Sequence, residues 1–365
     1  MSLNFGHPNS ISMNAIDLFC GCGGASIGLK MAGYKIVGAV DNDPIACKTY
    51  SRNLGLIPVC ENLRFFNGQR ILQHYDVKKG DVDLVIGCPP CQGFSSLRTT
   101  TYPTGKDPRN SLVSVFLRRV AEINPKAVVL ENVPGIARKH GQRYLSRFLR
   151  KMEKMGYKTN CAVVNAADYG VAQFRRRVFA ICAKSEIKPS IPPATHGSPE
   201  EGCDFLKSQM TVRDRIADMP PLVAGEDCSY IPNHRARNHP KRVMEIIRNI
   251  PKDGGSRRSL PPNLWLPCHQ RLDNSNRQGA VSIYGRMTWN KPSPTITCRC
   301  TTPSSGRFVH PEQDRAITPR EAARLQSFPD DFVFPDDFCR AERLIGNAVP
   351  PLLMEAQLQS IDEIL

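Results

Sequence analysis

The sequence has no apolar run near the roughly 18 to 20 residues that span a bilayer, and Met1 to Ser12 is polar with no apolar core. Neither a secretory leader nor a membrane anchor of ordinary form is expected, and the pattern points to an intracellular protein with a flexible tail over residues 1–12. Internal repeats and low-complexity segments are absent too. Acid is in short supply: 34 Asp+Glu face 49 Lys+Arg, a formal net charge of +15. Such an excess attracts polyanions and makes nucleic acid the partner class to test. The 14 cysteines do not form a disulfide scaffold, because they are scattered through a long chain and several, such as Cys161 and Cys182, lie in apolar runs. Nor do the close pairs Cys20/Cys22, Cys88/Cys91 and Cys298/Cys300 provide the two properly spaced pairs of a structural zinc site, so no metal is expected.

What is present is an ordinary soluble composition, 41% hydrophobic and 23% charged over 365 residues, long enough for a large and a small domain. The first 186 residues alternate apolar strands with helical segments. Ala15–Phe19 is a short apolar run followed by the turn Cys20-Gly21-Cys22-Gly23-Gly24 and a helix to Ala32. Glycines in such a turn let a ligand approach the backbone, but Ser26 stands where a dinucleotide fingerprint wants glycine, so a different adenosine-bearing cofactor fits better. A second strand, Tyr34–Val40, ends at Asp41, placed to hold ribose hydroxyls or to cap the helix before Pro44. Val59–Leu63 reads as a third strand, with Asn62 available to an adenine edge.

The run Leu84–Ile86 leads into Gly87-Cys88-Pro89-Pro90-Cys91-Gln92-Gly93-Phe94-Ser95, and residues 97–110 read as a polar, basic lid. A helix over Ser111–Ile123 and a strand from Pro125 to Leu130 end at Glu131-Asn132. In a parallel sheet Glu131 and Cys91 would share one edge. A helix from Gln142 to Met155 and strands Asn160–Asn165 and Arg177–Ala183 complete a doubly wound, mostly parallel α/β pattern, with Gln173-x-Arg175-x-Arg177 at the entrance of the last strand. From 187 to 292 prolines break this rhythm and basic residues accumulate, among them Arg235, Arg237, Arg257 and Arg258, suited to phosphates. Regular pattern returns from 293. Thr318-Pro319-Arg320-Glu321 has capping-box spacing with proline at the first helical position, and Gly346-Asn347-Ala348-Val349-Pro350 is read as opening a final helix.

In their linear order these motifs resemble the DNA cytosine-5 methyltransferases. They are Asp17-Leu18-Phe19-x-Gly21-x-Gly23-Gly24, Pro89-Pro90-Cys91-Gln92, Glu131-Asn132-Val133, Gln173-x-Arg175-x-Arg177, the run Arg320 to Pro329, and Gly346 to Pro350. The resemblance implies a Rossmann-like catalytic domain (13–186) that binds S-adenosylmethionine, an inserted target-recognition domain (187–292), and a C-terminal part (293–365) returning to the catalytic domain. It implies cofactor contacts from Asp17, Phe19, Cys20, Gly21, Gly23, Gly24, Asp41, Asn42, Asn62, Leu63, Pro89, Asn347 and Val349. It makes Cys91 the nucleophile at cytosine C6 and Glu131 the acid at ring N3, with Arg175 and Arg177 assisting. Gln92, Ser95, Arg98, Gln173, Arg235, Arg237, Arg257 and Arg258 would meet double-stranded DNA around a flipped base. Asn42 departs from the large or apolar residue often found beside the ribose acid.

The implied protein is a monomer, accompanied where a restriction system exists by an endonuclease for the same site. The competing assignments are an RNA cytosine-5 methyltransferase of transfer-RNA type on the same framework, and a thiol-disulfide oxidoreductase built on Cys88-x-x-Cys91. The second leaves the glycine turn, Glu131 and the arginine motif without a purpose.

Overall fold

A computed structural model of the chain describes residues 13–90, 111–198, 205–266 and 282–365. Cys91, Gln92, Ser95 and Arg98 lie outside the described residues, as does the lid expected at 97–110. The described residues up to Tyr169, with Arg176–Thr195 and Ala348–Leu365, form one compact unit, and Gly170–Arg175 with His196–Asn347 form another. The boundaries expected at 187 and 293 do not coincide with this division: residues 293–347 cluster with the second unit, and only Ala348–Leu365 joins the sheet.

The first unit is built on a seven-stranded sheet of β1 (Asn14–Leu18), β2 (Lys35–Asp41), β3 (Val59–Cys60), β4 (Leu84–Gly87), β5 (Ala127–Asn132), β6 (Lys158–Asn165) and β7 (Arg176–Ala183), in the order β3-β2-β1-β4-β5-β7-β6. The strands β3, β2, β1, β4 and β5 run parallel, whereas β7 is antiparallel to both β5 and β6. The connecting helices are α1 (Gly24–Met31), α2 (Pro44–Leu54), α3 (Gly68–His74), α4 (Leu112–Ile123) and α5 (Lys139–Lys154).

Sequence periodicity explains the packing. On α4 the buried positions Val113, Phe116, Val120 and Ile123 recur at helical spacing, and α5 presents Leu145, Phe148 and Met152; all join Leu18, Val85, Val128 and Leu130 of the strands in one core. Gly28 on α1 lets the helix Pro351–Asp362 lie directly on it, since a Cβ there would stand 2.6 Å from the Pro351 carbonyl oxygen. The final helix begins at Pro351 rather than at Gly346: Gly346 and Asn347 end the preceding helix Phe338–Asn347, which Ala348-Val349-Pro350 separates from the next.

The second unit has little regular structure. Its helices Val212–Ile216, Lys241–Asn249, Pro319–Leu325 and Phe338–Asn347 are joined by long irregular segments. Buried carbonyls in such segments have no ladder partner, and here arginine side chains supply it. Arg286 donates to the carbonyls of Ile247 (2.9 Å), Ile250 (3.0 Å), His310 (3.0 Å) and Gln313 (2.7 Å), and Arg320 to those of Pro232 (2.9 Å), Pro329 (3.0 Å) and Phe332 (2.6 Å). Burial alone would raise the Glu321 carboxyl, but Arg315, donating to both of its oxygens at 2.7 and 2.8 Å, holds it down at about 2. Thr318 and Glu321 form the expected capping box with Pro319 in the first turn.

Candidate active site

The strand order reverses between β1 and β4, and ligands of doubly wound sheets sit at that switch point, outside the carboxyl ends of the strands. Five segments of the sheet unit arrive there. From β1 comes the turn Phe19–Gly23. Phe19 has φ 64, a conformation that costs a non-glycine residue energy and persists only where the surroundings enforce it. The enforcement is visible: the Phe19 and Cys20 N–H groups both donate to the Val40 carbonyl, at 2.9 and 3.1 Å. Gly21 follows at φ 54, and a Cβ added to it would meet nothing within 4 Å, so the space over the turn is open. Gly23, at φ 102, is the N-cap of α1 and has no side chain with which to cap it.

From β2 comes Asp41, half-buried. Its Oδ2 accepts from the Gly21 N–H (2.8 Å) and its Oδ1 from the Asp43 N–H (2.9 Å), so the carboxylate braces the glycine turn from the neighbouring strand. Each oxygen keeps a second lone pair for hydroxyl groups. The cap of α2 is Asp43, which accepts from the Ile45 N–H at 3.0 Å, and that relieves Asp41 of the capping role. Beyond β3, Asn62 accepts from the Arg64 N–H (2.9 Å) and Leu63 is buried, while Asn42 is exposed.

Asp17 does not face this space. It is wholly buried beneath the turn, where its Oδ2 accepts from the Ser26 hydroxyl at 2.6 Å and Tyr50 donates to the same hydroxyl at 2.8 Å. Oδ1 has no partner among the described residues, and burial pushes the carboxyl up to about 7. Ser26 at the third fingerprint position is thus the donor to Asp17, a link that the missing glycine signalled without revealing. Cys20 and Cys22 are buried as well; burial raises both thiols, Cys22 to about 12, which makes them packing groups rather than nucleophiles.

From β4 comes Gly87-Cys88-Pro89-Pro90, directly before Cys91. A Cβ on Gly87 would lie 2.2 Å from the Phe116 ring, so only glycine lets α4 close on the strand end. Pro89 is buried, and its carbonyl accepts from the Asn132 side-chain amide at 3.2 Å, which ties the proline turn to the end of β5. Glu131 stands at that end. Its Oε1 pairs with the Arg177 Nε at 3.0 Å, and both side chains are largely withdrawn from solvent. The register explains the meeting: Glu131 lies opposite Phe179 on the antiparallel β7, and Arg177, two residues from Phe179, shares its face.

Other residues expected at the site have the following surroundings. Arg175 belongs to the second unit, 2% exposed, donating to the carbonyls of Ile296 and Gly346, each at 3.0 Å. In its own unit it acts as a clamp on those two carbonyls. Gln173 is fully buried, its amide nitrogen on Gln326 Oε1 (2.9 Å) and its oxygen on the Ile296 N–H (2.9 Å), so it joins two motifs of its own unit. Arg257 is also buried, 1% exposed, whereas Arg258 is exposed. Arg235 and Arg237 lie over the Phe338 ring at 4.3 and 4.7 Å, and Arg237 also pairs with Glu342 at 3.6 Å. Asn347 is exposed and accepts from the Cys298 thiol at 3.0 Å; Val349 is buried. Among the described residues no cluster of His, Cys, Asp and Glu is arranged to hold a metal, and no helix is long and apolar enough to cross a membrane.

Comparison with known proteins gives the same order of motifs an identity. Residues 13–363 match the model of the C-5 cytosine-specific DNA methylase family. The Type II methyltransferase M1.HphI of Haemophilus parahaemolyticus is 37% identical over 352 residues, covering 96% of this chain and 87% of that protein. The Type II methylase M.HgiDII of Herpetosiphon aurantiacus is 34% identical over 355 residues, covering 96% and 95%. Among solved structures, an E. coli prophage-encoded protein described as a DNA modification methyltransferase superposes with a TM-score of 0.69 at 26% identity, over 97% of this chain and 99% of that one. With the reversal of strand order, the braced glycine turn and Glu131 at the end of β5, these matches establish that the chain belongs to the C-5 cytosine-specific DNA methylase family and transfers methyl groups to cytosine C5 in DNA.

Proposed function

We propose that Cys91 attacks C6 of a cytosine turned out of the duplex while Glu131 holds the pyrimidine edge, with S-adenosylmethionine over the β1–α1 turn as methyl donor. The observation that carries this reading is the tie of Asn132 to Pro89, which sets the residue pair before Cys91 against the strand end that bears Glu131. When bound, S-adenosylmethionine supplies an electrophilic sulfonium methyl. Phe19, Asp41, Asn62 and Leu63 would hold its adenosine and the open turn at Gly21 and Gly23 its charged tail.

The chain's own residues then account for the rest. Addition at C6 places electron density on ring N3, and a protonated Glu131 carboxyl donates its proton to that nitrogen and takes it back when the adduct collapses. Arg177 fixes that carboxyl in one orientation. The thiolate leaves after the C5 proton has gone to a base, water being sufficient.

Residues 187–292 would read the target sequence, with Arg235, Arg237 and Arg258 as candidates for phosphate contact. The Type II names of the relatives suggest an endonuclease for the same site, and an intracellular monomer fits the reading. Those names also favour DNA over transfer RNA as substrate.

Bisulfite sequencing of DNA from cells expressing the protein should reveal methylation at one defined sequence. Cys91→Ser should abolish it and Cys88→Ser leave most of it. Equal loss from both substitutions would refute the nucleophile assignment, and methylation confined to RNA would refute the substrate.

A further inference from the structure

Between α4 and α5, on the flank of the sheet unit, lies a groove of about 530 Å³. Five cations line it: Arg64, Arg118, Arg147, Lys151 and Lys154. All except the half-buried Arg64 are exposed, and no carboxylate is among the lining residues. The acid nearest in sequence on α5, Glu153, accepts from the Thr159 hydroxyl at 2.9 Å and so has a partner on β6. Arg64 is held at the mouth by the Ser111 hydroxyl at 2.6 Å. Because α4 follows β4, its first turn lies at the carboxyl edge of the sheet, and the cationic line runs from that edge down the flank.

We propose that this groove is a second nucleic-acid contact, which binds the phosphates of DNA outside the target site. The inference rests on the reading of the chain as a DNA methyltransferase. Arg147, Lys151 and Lys154 form one stripe at helical spacing and span about 10 Å along α5, the axial length of about three phosphates of one strand. Val115, Leu117 and Met155 also line the groove, and the stems of long cationic side chains can lie along apolar surface while their charged tips stay in water.

An acidic protein segment is the other polyanion that such a rim attracts. Carboxylates pairing with exposed lysine and arginine gain little, whereas a duplex releases condensed counterions with every phosphate neutralised. DNA is also present at every turnover. None of the residues involved belongs to the cofactor or cytosine site.

The test uses the full chain and its quadruple variant Arg118→Gln, Arg147→Gln, Lys151→Gln, Lys154→Gln, which keeps much of the side-chain length. Affinity is measured over a range of salt concentrations for a short duplex covering only the target site and for one extended by about two helical turns, or about 20 base pairs, on each side. For the extended duplex the slope of log affinity against log salt should fall by about 0.9 for each phosphate that the variant no longer neutralises, or about 2 to 4 in all. Affinity for the short duplex and methyl transfer to it should be unchanged, and Lys151→Arg with Lys154→Arg should retain the parent slope. Equal slopes for parent and variant on the extended duplex overturn the proposal, and they do so even if the groove binds an acidic protein segment. Equal losses on both duplexes overturn it as well. Methyl transfer by the parent to the short duplex reports separately on the chemistry, so failure of that reading is not mistaken for failure of this one.

Discussion

Asp17 offers a direct test of the polar arrangement beneath the glycine turn. An unfolded aspartate titrates near 3.9, whereas burial raises Asp17 to about 7 in the folded chain. Between those values the folded state binds a proton that the unfolded state does not, so stability falls as pH rises. The contribution is complete below about pH 4 and is lost through about pH 7, at about 1.4 kcal/mol per pH unit in between. Over the whole interval this amounts to about 4 kcal/mol, of which about 2.5 kcal/mol disappears between about pH 5 and 7.5.

Asp17→Asn removes the titration and leaves the shape. Its amide oxygen can still accept from Ser26, and its N–H group takes the place of Oδ1, which has no partner among the described residues of the parent. That substitution carries an offset in stability, but the offset does not depend on pH. Groups that do not interact with Asp17 cancel between the two proteins, among them His310, which burial lowers to about 4. The measurement is the difference in thermal midpoint, variant minus parent, across this pH range. It should rise by about 5 to 10 °C from the acidic to the neutral end, taking about 2 to 4 °C per kcal/mol for a unit of this size. Parallel curves would mean that Asp17 is already ionised at pH 5, and the assignment of a largely protonated, desolvated acid under the turn would be wrong.

Three further outcomes follow from the geometry. Glu131→Gln should slow single-turnover methyl transfer by about 10²- to 10⁴-fold while duplex affinity changes far less, because Arg177 loses its partner but the strand end keeps its shape. Arg175→Gln should lower the thermal midpoint without altering the methylated sequence, since it removes charged donors from the Ile296 and Gly346 carbonyls at a cost of about 1.5 to 3 kcal/mol each; a change of sequence preference with unchanged stability would contradict the clamp. Thr318→Ala should cost about 1 kcal/mol, up to about 2, by uncapping the helix Pro319–Leu325, with Thr318→Ser largely neutral.

Much of the sheet unit was legible because its signals are local. Apolar runs ending in glycine or acid mark strands β1, β2, β4 and β5, and the Thr318–Glu321 capping box is encoded within four residues. Ser26 was visible only as a broken fingerprint, because its meaning lies in Tyr50, which comes from another helix. The same limit applied to the acids after β2: Asp41 and Asp43 both suit a cap, and only the position of the Gly21 N–H assigns one to the turn and the other to the helix. The arginines show a different limit. Charge counted along the chain treats each one as surface, but an irregular unit must satisfy its buried carbonyls, and Arg175, Arg257, Arg286, Arg315 and Arg320 are withdrawn into it. The net charge therefore overstates the cationic surface that the second unit can offer to DNA.

The direction of β7 has the largest functional consequence. A parallel strand delivers its last residues to the carboxyl edge of the sheet, so β4 and β5 bring Gly87 and Glu131 there. An antiparallel strand delivers its first residues to that same edge. Lying against β5 in the opposite sense, β7 begins where β5 ends, and Asn132 pairs with Val178, immediately after Arg177. A basic residue at the entrance of β7 is thereby placed beside an acid at the exit of β5. Had β7 run parallel, its entrance would lie at the opposite edge, about 20 Å away for strands of six to eight residues, and Arg177 could not reach Glu131. The alternating strand and helix pattern does not state this direction. What sets it apart is the short connection: β6 ends at Asn165 and β7 starts at Arg176, with only a single-turn 3₁₀ helix, Ala166–Tyr169, among the intervening residues. A parallel return requires a crossover of a dozen or more residues, whereas an antiparallel return does not. The length of that loop therefore fixes the strand's direction, and the direction gives Glu131 its partner.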